Sequence, residues 1–579
     1  MSFLSRIMVH KSRAHYSVST GGVTDHAAFE GARKKRAGQA KSRVGIIALS
    51  FTAFYCVIGG RLVQYGMEKP EIVSSIAPAD RLMASRPDLL DRNGEVLATD
   101  IRTVSLFAEP HRIVDVDEAI EKLRTVLPDL DARGTYQKLS SNSRFQWLRR
   151  QLTPKQQSQI LALGIPGIGF RPEKRRFYPG GATASHIVGH VNIDNRGVAG
   201  MERYVDSQGL ADLTALGMTT DQPLEPVKLS IDLRVQAILR EVIYSWIAKT
   251  EAIGAGAVVL DVHTGEVLGM ASAPDYDPNN PAEGAKEGWL NRMSNGTFEM
   301  GSTFKSFTTA MALDTGKVRI TDSFDASAPI RIGGFTIKDF HGKGRVLSVP
   351  EIFQYSSNIG TAKMADVVGI QGHKDFLTKL GLLTRMKTEL PEVAMPTQPR
   401  EWKKINSITI SFGHGVSTTP LQTAVASAAL VNGGKLIEPT FLPRSRADAD
   451  AVATQVIQPS TSKDMRFLFD WNGTKGSGRN ARVDGFDVGG KTGTADKVVN
   501  GRYAHDKNFN AFLAAFPISD PQYVVLTFID EPRTDKGNGA ALAGNTAAPM
   551  VKEIISRSAA ILGVKPKFGE DGSALLVSY

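Results

Sequence analysis

Three short motifs in a fixed order constrain this chain more than any property of its composition. Ser302 and Lys305 stand three residues apart within Glu299-Met300-Gly301-Ser302-Thr303-Phe304-Lys305. Ser356-Ser357-Asn358 follows, and Lys491-Thr492-Gly493-Thr494 comes last. On a helix, a three-residue spacing puts a hydroxyl and an amine on one face, about 5–6 Å apart at Cβ. The spacing predicts that Lys305 reaches the Ser302 hydroxyl, a weak nucleophile until a neighbouring base takes its proton.

Patterns this short recur by chance. Ser460-Thr461-Ser462-Lys463 repeats the first spacing and reads as a helix cap following Pro459; Ser140-Ser141-Asn142 repeats the second and reads as a loop. Neither keeps the order of nucleophile, second loop, late strand. Lys491-Thr492-Gly493 follows Gly489-Gly490, on a predicted strand whose small residues admit a substrate backbone.

A length of 579 residues predicts two or three domains, and 42% hydrophobic residues are enough to give most of the chain a packed core. The net charge of +10 is diffuse outside the N-terminus and accompanies no nucleic-acid motif, so it reads as solvated surface. Residues 44–60 carry no charge. Extended to Val63, the run approaches the ~20 residues that cross a ~30 Å hydrocarbon core. Arg33, Lys34, Lys35, Arg36, Lys41 and Arg43 precede it, which predicts a cytoplasmic N-terminus and an exported remainder. A cleaved signal peptide fits less well, because the basic preamble is long and no clean small-x-small site follows. The single cysteine, Cys56, lies in that run. The exported part therefore has no disulfide and no cysteine-based zinc site.

The chain divides into a basic cytoplasmic tail (1–43), a transmembrane anchor (44–63), an N-terminal domain (64–225), a larger domain (226–565) and a C-terminal tail (566–579). In the first domain, Asn93-Gly94 reads as a hairpin turn. Residues 117–127 and 154–163 have helical spacing. The block 171–204 is rich in glycines, which predicts close chain approaches. In the second, Asp232 caps an amphipathic helix, and strands at 255–260 and 267–272 flank a turn at His263-Thr264-Gly265. The Ser302 helix ends at Gly316. Strands at 487–495, 511–516 and 523–529 follow, then a closing helix with Asn545 as cap, Pro549 in its first turn and Gly563 beyond its end. The pattern predicts one antiparallel sheet completed by both ends of the domain, an α+β architecture.

With these motifs in place, the chain resembles a class B, monofunctional penicillin-binding protein, nearest the cell-division (septal) transpeptidase type. The resemblance includes Asp91-Arg92-Asn93-Gly94 and the 176–202 block, typical of the non-catalytic pedestal. It also includes Ala273-Pro274-Asp275-Tyr276-Asp277-Pro278-Asn279 and Ser411-Phe412-Gly413-His414-Gly415 in the catalytic domain. Met300 replaces a common proline, Pro87 a glycine, and Ser357 an aspartate found in some relatives.

The resemblance implies a penicillin-binding/β-lactamase-like transpeptidase domain on a pedestal with a single transmembrane helix. It implies a serine-type D-Ala-D-Ala transpeptidase of the inner membrane with a periplasmic catalytic domain. Ser302 would attack the penultimate D-alanine carbonyl of a stem peptide, with Lys305 as base. An ordinary lysine has a pKa of ~10.4, and lowering it by ~3 units corresponds to ~4 kcal/mol. Burial and a second cation, Lys491, would supply this. Ser356 would pass a proton to the leaving amine. Asn358 would bind a substrate amide and touch the base. Lys491, Thr492 and Thr494, with Gly493 between them, would hold the terminal carboxylate. The backbone N–H groups of Ser302 and Thr494 would form the oxyanion hole, about 3–4 kcal/mol per donor. A second stem peptide's amine would take the acyl group. No metal or organic cofactor is required. Expected partners are peptidoglycan stem peptides, β-lactams as covalent inhibitors, other division proteins and a polytopic membrane glycosyltransferase; no nucleic acid is expected.

Alternatives of other classes remain at this stage. An elongation-type enzyme shares the motifs. A β-lactam hydrolase needs a water-activating carboxylate that the sequence does not identify, and a signalling receptor would carry a protease domain, for which no H-E-x-x-H is present. A catalytically idle division scaffold would not need intact motifs. His186, His341 and His414 read as structural.

Overall fold

The structure, a computed structural model, describes residues 49–59, 86–210, 224–280, 282, 290–499, 501–533 and 541–567. The basic tail, the ends of the expected anchor and nearly all of the C-terminal tail lie outside these residues. Residues 1–81 form one unit and residues 82–579 another. In the first, residues 49–59 are helical, with Leu49, Phe51, Phe54, Tyr55 and Val57 exposed. Among the described residues no helix is long and apolar enough to cross a membrane.

The second unit begins with the expected hairpin. Leu89–Leu90 and Val96–Ala108 flank a turn in which Gly94 takes φ +94°. Val96–Ala108 pairs with both Gln146–Leu152 and Ile168–Phe177, and Val227–Lys228 joins Leu89–Leu90 in parallel. Helices Val116–Val126 and Pro154–Ala162 form where the apolar spacing predicts. Ile120, Leu123 and Ile160 from these helices bury against Leu106, Leu148 and Leu152 of the strands.

The glycine-rich block makes the close approaches expected of it. A Cβ on Gly189 (φ +75°) would lie 1.8 Å from the Ala199 carbonyl oxygen. The same block carries an ionic hub. Glu202, fully buried, accepts from Arg86 Nε at 2.8 Å and Arg176 Nε at 2.7 Å. Asp206 and Asp100 complete the two guanidinium shells. Two motif blocks distant in sequence also meet: Asn279 exchanges hydrogen bonds with the backbone of Tyr178.

The larger domain is built on a five-stranded antiparallel sheet. Its order is Gly489–Val499, Arg502–Phe516, Tyr523–Asp530, Gly254–Asp261, Val267–Ala273. Strands from both ends of the domain complete it, as the pattern predicts. Both faces are covered, and the period of two in a strand divides the residues between them. From Gly254–Asp261, Ala255, Ala257 and Val259 bury under helices Leu233–Thr250 and Ala547–Ser558. Val258 and Leu260 face the other core, with Phe304 and Phe307 of the Ser302 helix and Leu421 and Ala424 of helix Pro420–Val431. Asp232 caps Leu233–Thr250, its Oδ1 accepting the Arg234 N–H at 3.0 Å.

Two boundaries differ from expectation. The strand expected at 511–516 starts at Arg502, because Asn508–Asn510 pair with Thr494–Asp496 and, beyond a register shift at Asp496/Lys497, Arg502–Ala504 pair with Lys497–Val499. The closing helix is not capped by Asn545. Asn545 ends a short 3-10 turn, and the helix runs Ala547–Ser558 after Thr546, whose hydroxyl is engaged by Leu542 and Asn510.

Candidate active site

Ser302 sits in a 3-10 turn, Gly301–Thr303, that leads into helix Phe304–Asp314. Every residue from Phe304 to Leu313 is buried, which fixes the helix at the centre of the domain, while Ser302 is half-buried at its mouth. The helix ends at Asp314, and Gly316 takes the left-handed conformation just beyond it (φ +68°).

Ser356 ends helix Val349–Tyr355 in a left-handed conformation, φ +53° and ψ +47°. A non-glycine residue held there costs about 1–3 kcal/mol unless its surroundings fix it. Ser357 then caps helix Asn358–Val368, accepting the Gly360 N–H at 2.9 Å. The kink between the two helices turns the Ser356 hydroxyl and carbonyl inward.

Both lysines converge there. Lys305 Nζ donates to the Ser356 carbonyl and, at 2.9 Å, to its hydroxyl. Lys491 Nζ donates to the same hydroxyl at 3.0 Å. Lys305 is 1% exposed and Lys491 0%. Burial depresses both amines: Lys491 is lowered to about 7. Lys305 falls well below the ordinary lysine value through burial first, then through the charge of Lys491, with Asp339 pulling the other way. A neutral Lys305 can accept a proton, and a hydroxyl between two amines can relay one.

The Lys491 strand lies at the edge of the sheet, against the Ser302 turn. A Cβ on Gly493 would lie 2.3 Å from the Met300 carbonyl, and one on Gly301 (φ +53°) 2.7 Å from the Thr494 carbonyl. Only glycine permits this contact between nucleophile turn and strand. Behind the turn packs the Ser411–Gly415 block, where a Cβ on Gly413 (φ +92°) would meet the Gly301 carbonyl at 1.9 Å. Glu299 ties the layers, accepting the Gly415 N–H at 2.7 Å and the Tyr503 hydroxyl at 3.2 Å.

Two sequence expectations need correction. Among the described residues no hydrogen bond joins Lys305 to Ser302; the amine is drawn instead to the two oxygens of Ser356. Among the described residues no hydrogen bond joins Asn358 to Lys305; Asn358 opens its helix, and its Nδ2 donates to the Lys338 carbonyl at 2.9 Å. Thr492 and Thr494 share one face of the strand, opposite Lys491 and Gly493. The Thr492 hydroxyl pairs with Ser477 Oγ at 2.7 Å, and that of Thr494 accepts the Ala543 N–H at 3.2 Å. Of the decoys, Ser460 falls in the first turn of helix Pro459–Lys475 rather than at its cap, which is Gln458.

His186 packs edge-on to Tyr276 and His341 to Phe340. His414 is different from its sequence reading in one respect: its ring, edge-on to Phe412 and Tyr503, lies within electrostatic reach of Lys305. Sequence reasoning missed Asp339, Ser477 and Glu299 as neighbours of the site. Asp339 and Ser477 are lone polar residues outside every motif, and Glu299 alone had a signal, its place at the head of the first motif stretch.

The fold and the paired lysines around a serine define a serine acyltransferase of the penicillin-recognising class. The penicillin binding protein transpeptidase domain matches residues 255–556, and the penicillin-binding protein dimerisation domain matches residues 81–209. The chain belongs to the penicillin-binding protein transpeptidase family. It is 36% identical over 573 residues to the probable peptidoglycan D,D-transpeptidase FtsI of Caulobacter vibrioides, covering 96% of this chain and 95% of that one. It is 33% identical over 562 residues to the probable peptidoglycan D,D-transpeptidase PenA of Neisseria gonorrhoeae, covering 92% and 95%. A peptidoglycan synthetase structure from Bifidobacterium adolescentis shares the fold, with a TM-score of 0.65 at 22% identity over 84% of this chain and 97% of that one.

Proposed function

We propose that Ser302 is the acylated serine of a peptidoglycan D,D-transpeptidase, and that the enzyme cross-links stem peptides at the division septum. The observation that carries the residue roles is the convergence of Lys305 and Lys491 on the Ser356 hydroxyl, with Lys305 one helical turn from Ser302.

In the first half-reaction, Ser302 Oγ attacks the penultimate D-alanine carbonyl carbon and its proton passes to neutral Lys305. The backbone N–H groups of Ser302 and Thr494 stabilise the oxyanion; what supports this is the close approach of the Gly301 turn to Thr494. The C–N bond breaks, and terminal D-alanine leaves with a proton relayed from Lys305 through Ser356. Lys491, Thr492 and Thr494 hold its carboxylate, and the edge strand 489–499 lets the donor add as a further strand. In the second half-reaction an amine of another stem peptide attacks the ester, loses a proton to the same relay and frees Ser302. Asn358 orients a donor amide, which requires its side chain to leave the Lys338 carbonyl when substrate binds.

Residues 44–63 serve as a single-pass inner-membrane anchor, with a cytoplasmic N-terminus and a periplasmic catalytic part. The uncharged run and the basic residues before it support this reading. The pedestal and anchor dock a polytopic membrane glycosyltransferase that supplies glycan strands. Full co-purification after an anchor swap would remove the anchor from that contact.

Intact-mass measurement of the full chain in detergent with benzylpenicillin tests the residue assignment. A stable one-to-one adduct is expected on wild type and not on Ser302→Ala. Rapid drug loss without an adduct would mean a hydrolase, and neither adduct nor drug loss would mean an inactive scaffold.

A further inference from the structure

The kink at Ser356 requires a support that the three motifs do not contain. The only acidic side chain bonded to this loop among the described residues is Asp339, from the segment between the short strands Phe335–Ile337 and Val346–Ser348. Its Oδ2 accepts the Ser357 hydroxyl at 2.7 Å and its Oδ1 the Ile359 N–H at 2.9 Å. The preceding carbonyl, Lys338, accepts Asn358 Nδ2. Two consecutive residues thus hold the last two residues of the second motif and Ile359, which follows it. Ser357 Oγ already accepts the Gly360 N–H, so its proton is free to fix the direction of the Asp339 bond.

We infer that Asp339 is the positioning residue of the second motif: it clamps Ser357 and Ile359 so that Ser356 keeps its left-handed turn and its hydroxyl stays between Lys305 and Lys491. The inference rests on the proposed acyl-transfer site and extends it to a residue outside every motif. Misplacing a relay by even 1 Å costs about 100-fold in rate in favourable cases. Asp339 also places a negative charge within reach of Lys305. The other charged or titratable groups that face Lys305 are Lys491 from the edge strand and His414 from the 411–415 block. On the Asp339 segment itself are Lys338, His341 and Lys343, the last over the Tyr355 ring.

The test measures benzylpenicillin acylation of the full chain against pH, with thermal unfolding as a control for folding. Asp339→Asn cannot accept both bonds and carries no charge. Its plateau rate should fall about tenfold or more, and its acid limb should move to lower pH, because Lys305 is relieved of a charge that favours its protonated form. Ser357→Ala loses the clamp but keeps the charge: a similar fall, with the limb unmoved. If both variants fold and acylate at the wild-type rate with the wild-type profile, the inference is overturned. A lower unfolding temperature with an unchanged plateau and limb would also overturn it, leaving Asp339 a helix cap. If Asp339→Asn does not fold, the Ser357→Ala plateau decides alone. Failure of the wild type itself to acylate at Ser302 would overturn the site reading, and is distinguishable from these outcomes.

Discussion

Lys305 and Lys491 meet at a single oxygen: their amines lie 2.9 and 3.0 Å from the Ser356 hydroxyl, and both side chains are buried. Like charges this close favour losing one proton. Lys491→Ala removes the charge that depresses Lys305, so the Lys305 pKa should rise. A base must be neutral to act, and the acid limb of the acylation profile should move to higher pH. The plateau should also fall about 100-fold as the carboxylate partner is lost. Rates of benzylpenicillin acylation from about pH 5 to 9 check this.

Gly413 underlies the nucleophile turn, and its positive φ and the 1.9 Å approach to the Gly301 carbonyl leave no room for a methyl group. Gly413→Ala should destabilise the catalytic part by about 2–4 kcal/mol, since the neighbour is backbone and cannot swing away. Thermal unfolding measures the loss, and acylation of the folded fraction should slow because Ser302 shifts with the turn.

Glu202 is shared by two guanidinium groups and is fully buried. Glu202→Gln leaves Arg86 and Arg176 with one fewer anion between them. Breaking a buried pair in this way costs about 3–5 kcal/mol, far more than a surface bridge. Limited proteolysis should cut the pedestal before the catalytic part in this variant.

His373 gives a pH dependence of stability. It is fully buried, bonded at Nδ1 to Ser407 Oγ at 2.9 Å, and burial lowers its pKa to about 4 from an ordinary 6.5. Above 6.5 it is neutral whether folded or unfolded, and its contribution is complete. As pH falls from about 6.5 to 4 the unfolded chain gains a proton that the folded one refuses, so up to about 3 kcal/mol is lost. His373→Gln should flatten that part of the stability curve in chemical denaturation.

The sheet, the Ser302 helix and the three motifs were legible in the sequence alone. Their signals are local: short apolar runs joined through His263-Thr264-Gly265 for Gly254–Asp261 and Val267–Ala273, an Asp232 cap, and a serine and lysine three apart. The strand at 502–510 was not legible because its charged and amide residues show no apolar period; Asn508 and Asn510 are buried only because the Ala541 carbonyl, far along the chain, accepts from both. Tertiary structure alone decided where the lysine amines point. Spacing set Lys305 near Ser302, yet the left-handed turn at Ser356 offers two oxygens and takes the amine. Asp339 became visible only when residues 338–339 were folded against 357–359. A hydrogen bond between residues far apart in the chain leaves no period and no motif, so only the folded chain records it.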